Sequence, residues 1–417
     1  MNYLEERRNR VAGQWKSEGN LDSGVVLIEA GEPSPMPGTD QYHPFLGHPD
    51  FRYLADEHLP GATLAFDAGS GDWVLFGPRQ DAEDRMWHGD VAEIGEPLAS
   101  LESWLAGRGS APTYRLGVAP DADQRLTSLV AETRLRKDAD ELERMRRAAA
   151  ATVVGFEEVY RTAAPGMTER DIEAELEVGF RRGGGDAPAY DSIVAAARNA
   201  AVLHFEPTRT VVNPGDFVLI DAAAMVDGYA CDCTRTFVVG GTPSQRHRDI
   251  HAIVTAAQEV AVSKCVPGAE YRQIHIETAV QMAEGLVELG ILRGDPSDLV
   301  ARGVAALFFP HGLGHQIGLS VHDVAGYAEG RERSSLFGLS NLRTDRPLQD
   351  GMVVTIEPGI YFIPAILEMS TDFPDDIDMG VAEDYIDIGG VRVEDCVHVS
   401  ADGPENITIE VPKVFSI

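Results

Sequence analysis

Short apolar runs closed by glycine or proline alternate with polar turns through the first third of the chain. SGVVLIEAG, ATLAFDAG and WVLFG read as strands. EPSPMPGTD and FDAGSGDW read as turn-rich connections. From about Lys137 the pattern changes. KDADELERMRRAAAATVVGFEEVY has no glycine before Gly155 and no proline, and its mix of charged and aliphatic positions predicts a long helix. A second helix is predicted in TERDIEAELEVGF: Thr168 is the N-cap, Asp171 follows three residues on, and Ile172, Leu176 and Phe180 recur at four-residue spacing. Gly183–Gly185 should stop it. The shift in texture divides the chain into an N-terminal mixed α/β domain, 1–137, and a larger domain, 138–417. No internal repeat is visible.

The most informative pattern is FVLIDAAAMVDGYACDCTRTFVVGG, residues 217–241. Two apolar runs flank Asp227-Gly228, a strong hairpin signal. With the turn centred there, 226 faces 229 and Asp221 falls opposite Thr234. Asp232 then lies diagonally across from Asp221 on the same face, roughly 7–8 Å away at the backbone. Two acids on one apolar strand face need a cation between them, or one stays protonated; the alternative is that this face is solvated. Two more acids have similar settings. Glu357 ends a β-branched run before Pro-Gly in GMVVTIEPGIYF, and Arg392 and Glu394 share one face of a strand in GGVRVEDCVHV. Each alone could be an ordinary strand-end or salt-bridged acid. Four carboxylates together match the charge of two divalent cations. One imidazole would complete an oxygen-rich site suited to Mn, Co or Zn. HGLGHQIGLSVHD offers three imidazoles, His311, His315 and His322.

Composition narrows the classes. The 417 residues are 44% hydrophobic and 24% charged, ordinary for a globular chain, but 35 Lys and Arg against 67 Asp and Glu leave a net charge of −32. Such a surface repels nucleic acid and anionic lipid, so neither is expected as a partner. Part of the excess could be internal, as carboxylates that hold metal. No stretch has signal-peptide or membrane-span character. Cys231, Cys233, Cys265 and Cys396 form no CxxC pair and read as reduced packing residues. The expected compartment is the cytoplasm.

These motifs resemble the pita-bread metallopeptidases, the group that contains methionine aminopeptidase, aminopeptidase P and prolidase. IDAAAMVDGYACDCTRTF, PHGLGHQIGLSVHD, TIEPGIYF and GGVRVED appear in the family's order. The likeness is strong over about 140–417, and looser in the first domain through HPDFRYL and DRMWHG. It implies an α+β fold whose second domain is a curved antiparallel sheet backed by helices. It also implies five ligands, Asp221, Asp232, His315, Glu357 and Glu394, for two divalent ions per subunit, Mn2+ first and Co2+ or Zn2+ as alternatives. These ions would share a bridging hydroxide. Glu357 would double as proton shuttle, while His322 and His204 would face the substrate; His311 is left as a supporting or packing residue.

Tyr190, Arg343 and Arg392 match substrate-side positions. VAGYAEG and LRTDRPLQ resemble prolidase, in which an arginine, here Arg343, binds the free carboxylate of an Xaa-Pro dipeptide. The resemblance therefore implies an Xaa-Pro dipeptidase, with an Xaa-Pro aminopeptidase for longer peptides, or a metal-free binding module, as alternatives. AAARN at 195–199 and Ala223 depart from the family's usual glycine-bearing sequences and bear on specificity. The family is usually a homodimer in which a residue matching Trp87 reaches the neighbour's active site; a local core aromatic is the other reading of Trp87.

Overall fold

The computed structural model describes residues 2–417. It divides into two compact units, the first ending at Arg134 and the second running Leu135–Ile417. In the first, the predicted apolar runs form β1 (Val25–Glu29), β2 (Thr63–Asp67) and β3 (Asp72–Gly77), joined by β4 (Glu96–Pro97) and β5 (Thr113–Gly117). The sheet order is β4-β3-β2-β1-β5, parallel at β1–β5 and β3–β4 and antiparallel elsewhere. Helices α1 (Tyr3–Ser17), α2 (Pro49–Ala55), α3 (Ala82–His88), α4 (Leu101–Ala106) and α5 (Gln124–Arg134) accompany it. Trp15, fully buried on α1, stacks on Trp73 of β3 with ring centroids 5.8 Å apart. No residue of α3 is buried, and Trp87 on it is 65% exposed. That excludes the reading of Trp87 as a local core aromatic.

The second unit begins with α6 (Ala139–Thr162) and α7 (Glu169–Arg182). Both start in capping boxes, Asp138 with Glu141 and Thr168 with Asp171, which satisfy backbone donors at the first turn. The helices cross at glycines. A Cβ on Gly155 would stand 2.4 Å from the Phe180 ring, and one on Gly179 would stand 2.5 Å from Gly155 Cα. Glycine inside a helix costs about 0.5–1 kcal/mol relative to alanine, and here the close approach of the two helices offsets it.

Behind these helices come β6 (Ala187–Pro188), β7 (Ile193–Ala196), β8 (Asp216–Asp221), β9 (Ala224–Val226), β10 (Tyr229–Ala230) and β11 (Thr234–Val239). Val226 pairs with Tyr229 across Asp227-Gly228, both at positive φ, and Thr234 pairs with Asp221. The predicted hairpin therefore has the expected register but is not continuous. It breaks at Ala222-Ala223 and at Cys231–Cys233, so Asp232 lies outside the strands. Val218 and Ile220 pack with Ile172, Leu176 and Phe180 under the two helices. Alternation then sends Leu219 and Asp221 to the opposite face.

Helices α8 (Gln245–Ser263), α9 (Tyr271–Glu288) and α10 (Pro296–Ala301) follow. Ile250 and Val254 of α8 and Met282 and Leu286 of α9 share a core with Phe217, Ile360 and Val391. The last strands are β12 (Val353–Ile356), β13 (Gly359–Tyr361), β14 (Gly390–Arg392), β15 (Asp395–His398) and β16 (Glu405–Asn406). Every strand pair of this unit is antiparallel. The pairs form short sheets, and single bridges such as Thr234–Glu394 and Gln316–Val354 tie residues outside the strands to them. The fold is the pita-bread fold. One expectation changes: Arg392 and Glu394 do not share a strand, because β14 ends at Arg392 and β15, in another sheet, starts at Asp395.

Candidate metal centre and active site

Asp232, His315 and Glu394, all buried, offer ligand atoms within 4.8 Å of one another. His315 Nε2 lies 3.5 Å from Asp232 Oδ2 and 3.7 Å from Glu357 Oε1, which brings the fourth predicted ligand to the group. The fifth, Asp221, joins through Tyr190, whose hydroxyl donates to Asp221 Oδ1 at 2.6 Å and also touches Asp232 Oδ1. All five predicted ligands thus converge on one place, from β8, the 231–233 break, the 311–323 loop, the end of β12 and the β14–β15 break.

Glu394 sits at that break because its backbone N–H bonds Thr234 O at 3.0 Å, while Thr234 Oγ1 donates to Glu394 Oε2 at 2.6 Å. Below it, the fully buried Arg235 grips the carbonyls of Thr234 and Glu394 and the Asp395 carboxylate. His315 is equally constrained. Its Nδ1 is 3.0 Å from the Gln316 carbonyl, so Nδ1–H donates there and the Nε2 lone pair faces the carboxylates. Gly314 permits this, since a Cβ there would lie 2.1 Å from Thr355 O.

The electrostatics test whether cations fit. Four carboxylates face one guanidinium, Arg392, whose Nη2 lies 2.6 Å from Asp221 Oδ2. Burial first, then the charges of Asp232, Glu357 and Asp221, pushes the Glu394 carboxyl well above the usual range. Burial raises Asp232, although its bond to His315 opposes the shift, and pushes Glu357 up to about 7 against the pull of His315 and Arg392. Burial alone would depress His315, but the hydrogen bond to Asp232 and the charge of Glu357 outweigh it and raise it. A buried lone pair aimed at crowded anions is repulsive unless a proton or a metal ion lies between them. The oxygen-rich donor set with one imidazole therefore fits divalent cations.

The other predicted residues divide. His322 is partly exposed and packs edge-on to His315, ring centroids 4.5 Å apart; burial, then His315 and Arg343, depress it to about 4, so it is neutral near pH 7. His204, also exposed, lines the same space. Arg343 lines a cavity of about 450 Å³ with His322, Arg333 and Asn341. Arg392 reaches that cavity, but its nitrogens are engaged by Asp221, Tyr361 and Thr234. It pairs with Asp221 as a counter-ion beside the carboxylates. Tyr190, also placed with the substrate residues, lines the neighbouring cleft and bridges Asp221 and Asp232 through its hydroxyl.

His311 ends a polar chain: Arg392 Nη1 donates to Tyr361 Oη at 2.7 Å, and Tyr361 Oη lies 2.9 Å from His311 Nε2. Burial, then Arg392, holds this imidazole down at about 3, which suits a neutral acceptor. Tyr361, Thr234 and Arg235 lay inside the quoted motifs without an assigned role. Only their contacts reveal one.

Residues 143–401 match the description "Metallopeptidase family M24", and residues 4–101 match "Aminopeptidase P, N-terminal domain". A probable Xaa-Pro aminopeptidase of Botryotinia fuckeliana is 30% identical over 437 residues, covering 98% of this chain and 94% of its own. One from Aspergillus terreus is 32% identical over 442 residues, with 97% and 94% covered. Among solved structures, aminopeptidase PepP of Pseudomonas aeruginosa is 31% identical with a TM-score of 0.81, covering 99% of this chain and 95% of that one.

Proposed function

The chain belongs to metallopeptidase family M24, and from that premise we propose that it is an Xaa-Pro aminopeptidase, releasing the first residue of peptides whose second residue is proline. The likeness to Xaa-Pro aminopeptidases along almost the whole of both chains carries this reading. It prefers the alternative over the dipeptidase that the prolidase-like segments suggested. The five convergent residues Asp221, Asp232, His315, Glu357 and Glu394 would hold two divalent ions, with manganese first among the candidates for so oxygen-rich a set. Bound there, such ions polarise a carbonyl and acidify water.

The chain's own groups do the rest. Proline's nitrogen carries no N–H, so the site must grip the bond through its carbonyl. His322, neutral near pH 7, can donate an N–H to that oxygen as negative charge develops, with His204 across the cavity in support. Glu357 lines the same space and is the group to carry a proton to the departing proline nitrogen. Arg392 and Tyr190 orient Asp221.

One observation favours the second reading, an Xaa-Pro dipeptidase. Arg343 and Arg333 share the wall of the 450 Å³ cavity, where a dipeptide carboxylate could be paired. Rates on Gly-Pro, its C-terminal amide and Gly-Pro-Leu, with manganese-loaded protein, decide between them. The aminopeptidase reading expects the tripeptide to be cleaved at least as well as Gly-Pro; cleavage of Gly-Pro alone would return the dipeptidase.

A further inference from the structure

Two cavities meet at the carboxylate cluster, sharing His204, Asp221, His322 and Glu357, and the residues that belong to only one of them differ in charge. One is the cavity with Arg343 and Arg333. The other is a cleft of about 770 Å³ lined by Asp232, Glu394 and Tyr190 together with Glu173, Glu177, Asp191 and Glu206, with Arg170 as its one lysine or arginine among the described residues. Arg170 Nε is spent on the Pro207 carbonyl at 3.0 Å. None of those four outer acids makes an ion pair within 4.0 Å among the described residues.

A chain of net charge −32 has acids on many surfaces, so acidity alone decides nothing. Two features separate this cleft. Glu173 and Glu177 are half-buried one turn apart on α7, a like-charge placement that helix stability disfavours. Burial, then the charge of Glu177, raises the Glu173 carboxyl above its usual range. Independently, Ser192 lines the cleft at 3% exposure, and its hydroxyl finds no hydrogen-bond partner among the described residues. A buried hydroxyl left unpaired is costly, and a ligand's polar atom would satisfy it.

We propose that this cleft is the subsite for the residue before proline and selects a cationic side chain there, lysine or arginine. The inference rests on the aminopeptidase reading and names its substrate class. A peptide is positive at its amino end and negative at its carboxyl end. Cleavage at the first bond puts the α-ammonium and first side chain on one side of the cluster, and the proline with the remainder of the peptide on the other. Acids in one cavity and arginines in the other match that polarity in a single orientation. The α-ammonium of any substrate meets the acids near the cluster. The half-buried Glu173–Glu177 pair lines the same cleft from α7 without belonging to the carboxylate cluster, and two partly desolvated acids favour a cation over a neutral chain of equal length.

The test compares Lys-Pro-Pro, norleucyl-Pro-Pro and Glu-Pro-Pro as substrates of the manganese-loaded protein. Lysine should exceed norleucine in kcat/KM by about five- to tenfold at low salt, and glutamate should fall below both. The lysine advantage should shrink as salt rises. In Glu173→Gln/Glu177→Gln, kcat/KM for the lysyl peptide should fall about fivefold more than for the norleucyl peptide. Equal rates for lysine and norleucine in the wild type, or a ratio untouched by the double substitution, would overturn the proposal and leave the aminopeptidase reading standing. No cleavage of any of the three would overturn that reading and this inference with it.

Discussion

At the scale of single residues, the site separates groups that would hold cations from groups that face substrate. His322 belongs to the second kind: it packs against His315, but its ring is no part of the compact ligand group. His322→Ala should leave metal stoichiometry near wild type and lower kcat by about 10²–10³, the scale of one lost transition-state hydrogen bond. Metal analysis beside the kinetics checks this, and loss of metal would make His322 a ligand. Thr234 acts one step behind the ligands, donating to Glu394 and accepting from Arg392 Nε at 3.1 Å. Thr234→Val keeps the shape and removes both bonds, so manganese affinity should fall by about 10–100-fold. Calorimetric titration measures it; an unchanged affinity would show that Glu394 is held by its backbone alone.

Among the elements, the loop bearing His315 and His322 is tied down by a buried ion pair. Lys137 Nζ, just before α6, lies 3.2 Å from Asp323 Oδ2, with both side chains almost fully buried. Lys137→Met would leave that carboxylate buried without its ammonium, at a cost of about 3 kcal/mol in stability. Adding Asp323→Leu should recover much of the loss, because two apolar chains need no desolvation. Denaturant unfolding of the three proteins provides the comparison. If the double variant were no more stable than Lys137→Met, the pair would owe its effect to packing rather than charge. A ratio of kcat to KM that shifts in Lys137→Met would further show that the pair positions His322.

For the molecule as a whole, the crowded carboxylates couple cation binding to pH. Without cations, Glu357 has its folded pKa raised to about 7 from an ordinary 4.5, and Glu394 is raised as well. The folded state then holds protons that the unfolded state releases. Stability is fully present below about 4.5 and is lost as pH rises through about 7. Bound cations remove that loss by replacing the protons. The gap in Tm between manganese-loaded and chelator-stripped protein should therefore widen from pH 5 to pH 7.5. Buried His275, depressed to about 4, acts oppositely, losing stability as pH falls from about 6.5 toward 4, but it does so in both forms and cancels from the gap. A gap that stays constant with pH would mean the carboxylates are not sharing protons in the metal-free state.

Local pattern alone determined a good deal of this protein. Strands β1, β2 and β3, the two capped helices and the pairing of Asp221 with Thr234 follow from nearest-neighbour chemistry: turn residues, N-caps and side-chain period. The five candidate ligands stand in short motifs, which is why they could be named from the chain. What remained for the tertiary structure was every role set by distance between segments. Arg392 is placed beside the substrate by its motif, and only the structure shows its donors ending on Asp221, Tyr361 and Thr234. Glu394 looked like a strand residue until the strand was seen to break between two sheets, where Thr234 could reach it. Tyr190, Glu173, Glu177 and Ser192 lie far from the ligand motifs in sequence, and only folding α7 and β7 beside β8 sets them on one wall. Local structure is written in neighbouring residues, whereas desolvation and charge crowding depend on atoms brought together from across the chain.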